Sequence, residues 1–332
     1  MLTYLIKCIA GAAVVLLVMS FIVFCLQSII PADPVRAVAG PSAPPETIKA
    51  IREQLGIDQP VVVQYERFLL RLVHGDLGIS VRTRRPVAVD IRQYLPATIE
   101  LVLVSLTLGA ALSGAMALLQ FIFTGSTGIR LAIIGAGSTP VFLSALLLAY
   151  FFWFRLGWLP GAGRLDFSRF SGFTGPTGLN LIDGILTGRP EVSVDALKHI
   201  FLPALALALP IGVAVGRSLN GALHDVVSQA YVRTARGKGL SETSVLLRHG
   251  LRNAASAPLS MFSLQVRLLF GGLLVVERVF GWPGLGLYAV QAFASADLPA
   301  VLGVAMVFGI LYILVNTFVE ISQSLADPRI DL

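Results

Sequence analysis

The sequence predicts an all-α, polytopic membrane protein with six transmembrane helices. Three observations carry that expectation. The chain of 332 residues is 55% hydrophobic and only 13% charged, against about 25% charged for a soluble globular chain. Its apolar residues fall into runs close to the ~20 residues needed to span a bilayer. Between the later runs lies one polar, basic island, Gln229 to Pro258.

The first run, Cys8 to Ile30, follows Lys7. A secretory leader is the rival reading, because Ala37-Val38-Ala39 resembles a cleavage site. A leader's apolar core is only ~7–15 residues, so the run is read as a retained first span. Cys8 and Cys25 both lie in it. At ~1.5 Å per helical residue they stand about 25 Å apart, too far for a disulfide, and read as small apolar fillers. Residues 31–96 are polar and proline-rich, with a helical patch at Glu46 to Leu55. A helix over Val61 to Val73 places Val62, Tyr65, Leu69 and Leu72 on one face, as a small extramembrane layer on the membrane surface. Arg82, Arg84 and Arg85 follow, as candidates for partner or headgroup contact, with a solvated turn between helices as the more common reading of each.

The second span is Ala97 to Phe123, with Glu100 at interface depth. A tight turn at 125–130 leads to a third, Leu131 to Phe154, which closes in the aromatic belt of Tyr150, Trp153 and Trp158. Residues 157–199 are rich in Gly and Pro and show no strong periodicity. The fourth span, Ile200 to Val215, contains Pro203 and Pro210, whose unpaired carbonyls suggest kinks near a cavity, with structural tolerance as the commoner reason. The fifth, Leu259 to Val276, carries Gln265 and Arg267, and an arginine at that depth must face protein or water. A re-entrant-looking turn around Trp282-Pro283-Gly284 precedes the sixth span, Ala300 to Ile321, with Asn316 and Glu320 toward its end. Gln265, Arg267 and Asn316 are candidates to line a path, with packing between helices as the alternative role.

The island reads as helix, stop, helix. Arg236 and Lys238 close the first helix, where positive charge offsets the negative end of the dipole. Gly239 stands where a left-handed residue is wanted, with apolar Leu240 after it. Ser241 is a cap for a second helix, and Glu242 suits its first turn. Two short helices meeting at a glycine make a rigid elbow against which another protein can push. Its Arg233, Arg236, Lys238, Arg248 and Arg252 argue for the cytoplasmic side, and six spans then put both termini there.

Chemistry on the chain itself has no anchor. No phosphate-cradling G-x-x-x-x-G-K-[ST], no H-E-x-x-H, no C-x-x-C and no G-x-S-x-G occurs, and the four histidines are scattered. No catalytic residue and no metal ligand is assigned, and the chain is not expected to be an enzyme. The net charge of +6 reads as basic residues at membrane edges near lipid headgroups, not as a nucleic-acid surface. Few charges lie in the spans, so an ion-coupled carrier lacks its usual carboxylates. Energy supplied from outside the chain fits the elbow.

The stretch YVRTARGKGLSETSVLLRHGLRNA resembles the cytoplasmic loop of permease subunits of ATP-binding-cassette importers of the dipeptide/oligopeptide/nickel family. LGIDQPVVVQYERFLLRLVHGDLGIS with VRTRRPVAVDIRQYLPATIEL is similar to the segment after the first span of that family's B-type permease. VERVFGWPGLGLYAVQAFASADLP and ADPRIDL are similar to its signature between spans five and six and to its tail. The order and spacing match from end to end. The wider importer loop reads Glu-Ala-Ala, three residues, then Gly; here Arg233, Thr234, Ala235 and Gly239 stand there, the Arg-Thr-Ala form of the peptide importers. Gly237 is a weaker helix residue than alanine by roughly 0.5–1 kcal/mol.

The resemblance implies a type I permease fold in a prokaryotic cytoplasmic (inner) membrane. A first span (1–30) precedes an extracytoplasmic helical segment (31–96) and a core (97–332) with its coupling loop at 218–258. It implies a paralogous permease as heterodimer partner, two ATPase subunits and an extracytoplasmic binding protein. No cofactor is implied on this chain, with ATP and Mg on the ATPases. Tyr231, Arg233, Thr234, Ala235, Arg236 and Gly239 would sit in the ATPase groove. The implied cargo is di- or oligopeptide, with nickel or another small solute as the alternative, and Arg267 suits a peptide's carboxylate. A membrane channel or assembly protein using a similar loop is the alternative from another class.

Overall fold

The computed structural model describes residues 2–29, 44–46, 49, 59–123, 125–245 and 250–326. The tail after Ala326, most of the patch expected at Glu46 to Leu55, and Arg248 with His249 lie outside the described residues, as do the side chains of Glu242 and Arg252. The chain divides into two compact units, Met1–Pro96 with Gly284–Ile313, and Ala97–Pro283 with Leu314–Leu332.

In the first unit, α1 (Leu2–Ile29) covers the first expected span up to Ile29, the last residue of that span lying outside the described ones. Its 28 residues reach about 42 Å, enough to cross a bilayer. The helix foreseen after it is α2, Val61–Val73, and its inward stripe keeps Tyr65 and Leu72 of the expected face but replaces Leu69 with Phe68 and leaves Val62 outside. Phe68 is buried with Phe24 of α1 and Leu302, flanked by Tyr65, Leu72 and Met306, while Val62 is 78% exposed. Tyr65 anchors α2 on α1, its hydroxyl 3.0 Å from Ser20 Oγ and donating to Leu17 O at 3.3 Å. The helix therefore packs on the first span through aromatic rings, with Phe24 and Tyr65 centroids 5.2 Å apart.

A tight turn at 79–86 then leads into α3, Val87–Ile122. Its polar groups are spent inside the unit. Ser80 donates to Asp297 and Thr83 to Asp90, while Arg85 lies 2.7 Å from Asp90. Tyr288 donates to Asp90 at 3.0 Å and stacks on Tyr94. The Arg82 guanidinium sits 5.5 Å over the Tyr288 ring. Arg82 and Arg85 make these contacts within the fold while remaining exposed, as expected.

Among the described residues, the α-helices of seven or more residues in the second unit are, in chain order, the rest of α3, then α4 (Thr127–Ser138), α5 (Val141–Leu148), α6 (Asn180–Leu186), α7 (Pro190–Val227), α8 (Ala230–Gly237) and α9 (Ser256–Val279). The α10 helix, Leu285–Ala294, belongs to the first unit, and α11, Leu298–Ala326, contributes its last residues to the second. The central helix is α7, 72% buried over its apolar window against 28–33% for the other spanning helices. Glycine permits its close approach to α3. A Cβ on Gly216 would stand 2.9 Å from Ser113 O, and one on Gly212 would stand 2.7 Å from Leu112 Cβ. Pro203 and Pro210 lie inside the continuous helix.

By length and composition, α3, α7, α9 and α11 can each cross a membrane. The third expected span is not one rod. Helices α4 and α5, with the π-helical turn Ala149–Arg155 that continues α5, are bent by 108° at their junction. Pro140 causes the break: it lacks an N–H and pushes the preceding residue out of the helical region. Thr139 is accordingly extended, at φ −76° and ψ 125°, and its hydroxyl donates back to Gly135 O at 2.8 Å.

The 157–199 stretch is folded more tightly than its composition suggests. Arg164 pairs with Glu100, both largely buried, and also donates to Gly178 O at 2.8 Å. The Leu181 amide donates to the same Glu100 at 2.8 Å. Buried Asp183 accepts from the Thr177 amide and hydroxyl at 3.0 and 2.7 Å. A Cβ on Gly175 would collide with that carboxylate. The fourth expected span starts ten residues early, because Pro190 opens α7 at a first-turn position that needs no N–H.

Candidate functional site

The elbow follows α7 after two residues. Its helix, α8, ends in a Schellman turn. The Gly239 amide donates to Arg236 O at 2.9 Å and the Leu240 amide to Ala235 O at 3.4 Å. Gly239 holds φ +80° with open space around it, so the backbone angle, not crowding, demands glycine. Ser241 Oγ accepts from the Ser244 amide at 3.3 Å, capping the short helix Glu242–Val245. Val232, Ala235 and Val245 form a small core with Val226 and Leu240 against it. Both helical pieces are therefore locked to each other and to the end of α7.

This packing sorts the candidate residues. Tyr231, Arg233, Thr234 and Arg236 are exposed with Lys238 and Gly239. Ala235 is not on that face. It is only 7% exposed and points into the elbow's own core, so its small side chain seats α8 on this chain. The reason is helical period: Val232 and Ala235, three apart, share the inward stripe. The outward face is basic and carries one aromatic ring, that of Tyr231.

The three path candidates separate into two places. Gln265 lines a cavity of about 260 Å³ with Gly137, Ser138, Thr139, Pro140 and Pro210, at the break between α4 and α5. A cavity beside Pro210 matches the expectation drawn from that proline. Arg267 and Asn316 lie elsewhere, together. Arg267 Nε donates to Asn316 Oδ1 at 3.2 Å, and Asn316 Nδ2 donates to Glu320 Oε1 at 2.7 Å. Arg267 also faces Glu320 at 3.6 Å. Arg267 is midway along the 24-residue α9. An arginine there costs about 2.5–3.5 kcal/mol on insertion scales when it meets lipid. Below it, Gln323 Nε2 donates to Ser263 Oγ and Leu259 O at 2.7 and 2.6 Å.

Sequence reasoning did not place Glu320 in this cluster, although its spacing of four from Asn316 on one helix face was a usable signal. It also missed a second cavity, of about 530 Å³, beside Asp166, Asp195, Lys198 and His199. There Asp195 Oδ2 accepts from the Asp166 amide at 2.7 Å. The Ser168 hydroxyl and amide, bonded to Asp166, hold its carboxyl below the ordinary carboxylate range.

Residues 109–332 match the binding-protein-dependent transport system inner membrane component family, and residues 1–102 match the N-terminal region of such membrane components. The chain is 37% identical to the probable D,D-dipeptide transport system permease protein DdpB of Escherichia coli (strain K12), covering 96% of this chain and 95% of that protein. It is 34% identical to the glutathione transport system permease protein GsiC of Salmonella paratyphi A (strain ATCC 9150 / SARB42), over 99% of both. A crystal structure of an amino acid ABC transporter with histidines aligns at TM-score 0.45 and 15% identity, covering 71% of this chain and 92% of its own. Two family matches that between them reach from residue 1 to residue 332, on a helical chain with several membrane-crossing helices, show what the chain is: an inner membrane component of the binding-protein-dependent transport system family, an ABC importer permease.

Proposed function

We propose that this permease is the membrane path for short peptides in an ATP-driven importer. The single observation that carries the reading is the elbow. Its basic outward face is held rigid by the Gly239 turn and the Val232–Ala235–Val245 core. Such an element transmits force from a partner and performs no chemistry itself. Tyr231, Arg233, Thr234, Arg236 and Gly239 meet an ATPase subunit there, while Ala235 supports them from behind. One ATPase docks on this elbow and a second on that of a paralogous permease. An extracytoplasmic binding protein delivers the cargo. ATP and Mg belong to the ATPases, and this chain has neither a catalytic residue nor a cofactor of its own.

Both termini and the elbow face the cytoplasm, and 31–96 lies outside. The core runs from 97, with 218–258 as its coupling loop. The path runs past Gln265, Arg267 and Asn316. The names of the relatives favour peptides over nickel, since a D,D-dipeptide and glutathione are both short peptides. The test is uptake of labelled dipeptides into proteoliposomes holding the whole complex, with and without ATP. Uptake that needs ATP and the binding protein supports the reading. Uptake indifferent to ATP refutes it.

A further inference from the structure

The Arg267–Asn316–Glu320 cluster has three properties that an ordinary structural ion pair does not combine. It lies on two helices long and apolar enough to cross a membrane, with Arg267 midway along α9 and the other two in the C-terminal half of α11. It is reachable, with Arg267 45% and Glu320 30% exposed. And the opposite charges of Arg267 and Glu320 make only a loose pair with each other. Their 3.6 Å separation is beyond a hydrogen bond, with Asn316 bonded to both as a spacer. A guanidinium has five donors in a fork that matches a carboxylate two-pronged. Glu320 does not fill that fork. Lipid is a poor neighbour for such a group, yet Leu264, Leu268, Leu314 and Phe318 are exposed on the same helices. A polar stripe framed by apolar side chains suits water confined to a narrow path.

We propose that Arg267, Asn316 and Glu320 form a charge-pairing site on that path, for zwitterionic solutes. Arg267 takes the solute's carboxylate, and Glu320 its ammonium group, in exchange for the pairing they make with each other. With no solute, the two charges balance across Asn316. With a solute, each charge acquires an opposite one, so the chain never holds a lone charge at membrane depth. The inference rests on the permease reading and deepens it, because it selects solutes carrying both charges over metal cations, which a guanidinium repels.

The test places a thiol beside the cluster. Leu264→Cys, one turn before Arg267 and 47% exposed, is made with Cys8→Ser and Cys25→Ser in the full complex. Its rate of modification is measured with an anionic sulfonatoethyl and a cationic trimethylammonium-ethyl methanethiosulfonate, in right-side-out and inside-out vesicles, with and without ATP and vanadate. The site predicts reaction with both reagents. Arg267→Gln slows the anionic reagent about tenfold and Glu320→Gln slows the cationic one about tenfold, as for charges focused in a low-dielectric cleft. Arg267→Lys keeps the anionic preference, which separates charge from loss of fold. A thiol silent in both vesicle orientations overturns the proposal, as does failure of either shift. Co-purification of the ATPases from the same vesicles separates the two levels. If they are present and the thiol is silent, only this site is wrong. If they are absent, the importer reading itself fails.

Discussion

The amide of Leu240 donates to the carbonyl of Ala235 across Gly239, and both side chains turn toward one core with Val232 and Val245. The turn and the core therefore fix the same angle twice, once through the backbone and once through packing. An elbow so determined moves as a piece, which is the requirement for passing a partner's motion to the spans.

Gly239→Pro removes the amide that bonds Arg236 and forces φ near −65° where +80° is needed. Membrane insertion is expected to be normal and ATP-dependent uptake to be lost. Gly239→Ala keeps the amide and costs about 1–2 kcal/mol for its left-handed backbone, so uptake falls without vanishing. Both are read by uptake in proteoliposomes against the amount of inserted chain.

Ala235→Leu overfills the elbow core, at a cost of about 1–3 kcal/mol. Trypsin cleavage after Lys238 should quicken, because the turn loses its inner support. Thr234→Ala, on the exposed face, changes stability by no more than about 0.5 kcal/mol and leaves that cleavage rate as it was. Equal cleavage in the two variants would contradict the inward placement of Ala235.

Gly212→Leu or Gly216→Leu drives a side chain into α3, where the present clearance is too small even for a Cβ. A loss of at least about 1–3 kcal/mol follows, visible as a lower unfolding temperature in detergent. Gly221→Ala, in the same helix with open space around it, should raise stability by roughly 0.5–1 kcal/mol.

Arg164→Met leaves the buried Glu100 carboxylate without its positive partner and with only the Leu181 amide, at a cost of about 3–5 kcal/mol. Adding Glu100→Leu removes the stranded charge and should recover most of the loss. A double variant no more stable than the single one would show that the pair is not the reason for the fold there.

Arg267→Ala is expected to reduce peptide uptake on the order of tenfold, the effect of one focused charge, while ATP hydrolysis by the assembled complex continues. Unchanged uptake kinetics would remove Arg267 from the path.

What was legible in the sequence was local. The Gly239 turn, its Leu240 contact and the Ser241 cap are each set within six residues, and all three stand in the structure. The second, fourth, fifth and sixth spanning runs were legible because length and hydropathy alone define them. The break at Thr139–Pro140 was legible in principle, since Pro140 interrupts an apolar run as a helix breaker does, but hydropathy averages over it. The stripe on α2 was misjudged by one position because Phe68 and Leu69 are both apolar, and only the neighbouring Phe24 and Leu302 decide which one turns inward. Glu100 with Arg164, 64 residues apart, and Asp90 with Tyr288, 198 apart, are joined by folding alone. No local pattern announces such pairs, and they account for most of the buried polar groups that the sequence left unplaced.

The central claim is that the elbow exists to engage an ATPase. The most direct measurement is isolation of the tagged chain from its native membrane in mild detergent, with identification of what remains bound. The account predicts a second six-span permease and one or two Walker-motif ATPases, with the ATPases released by Gly239→Pro. A chain recovered alone, or as a homo-oligomer without an ATPase, would contradict it.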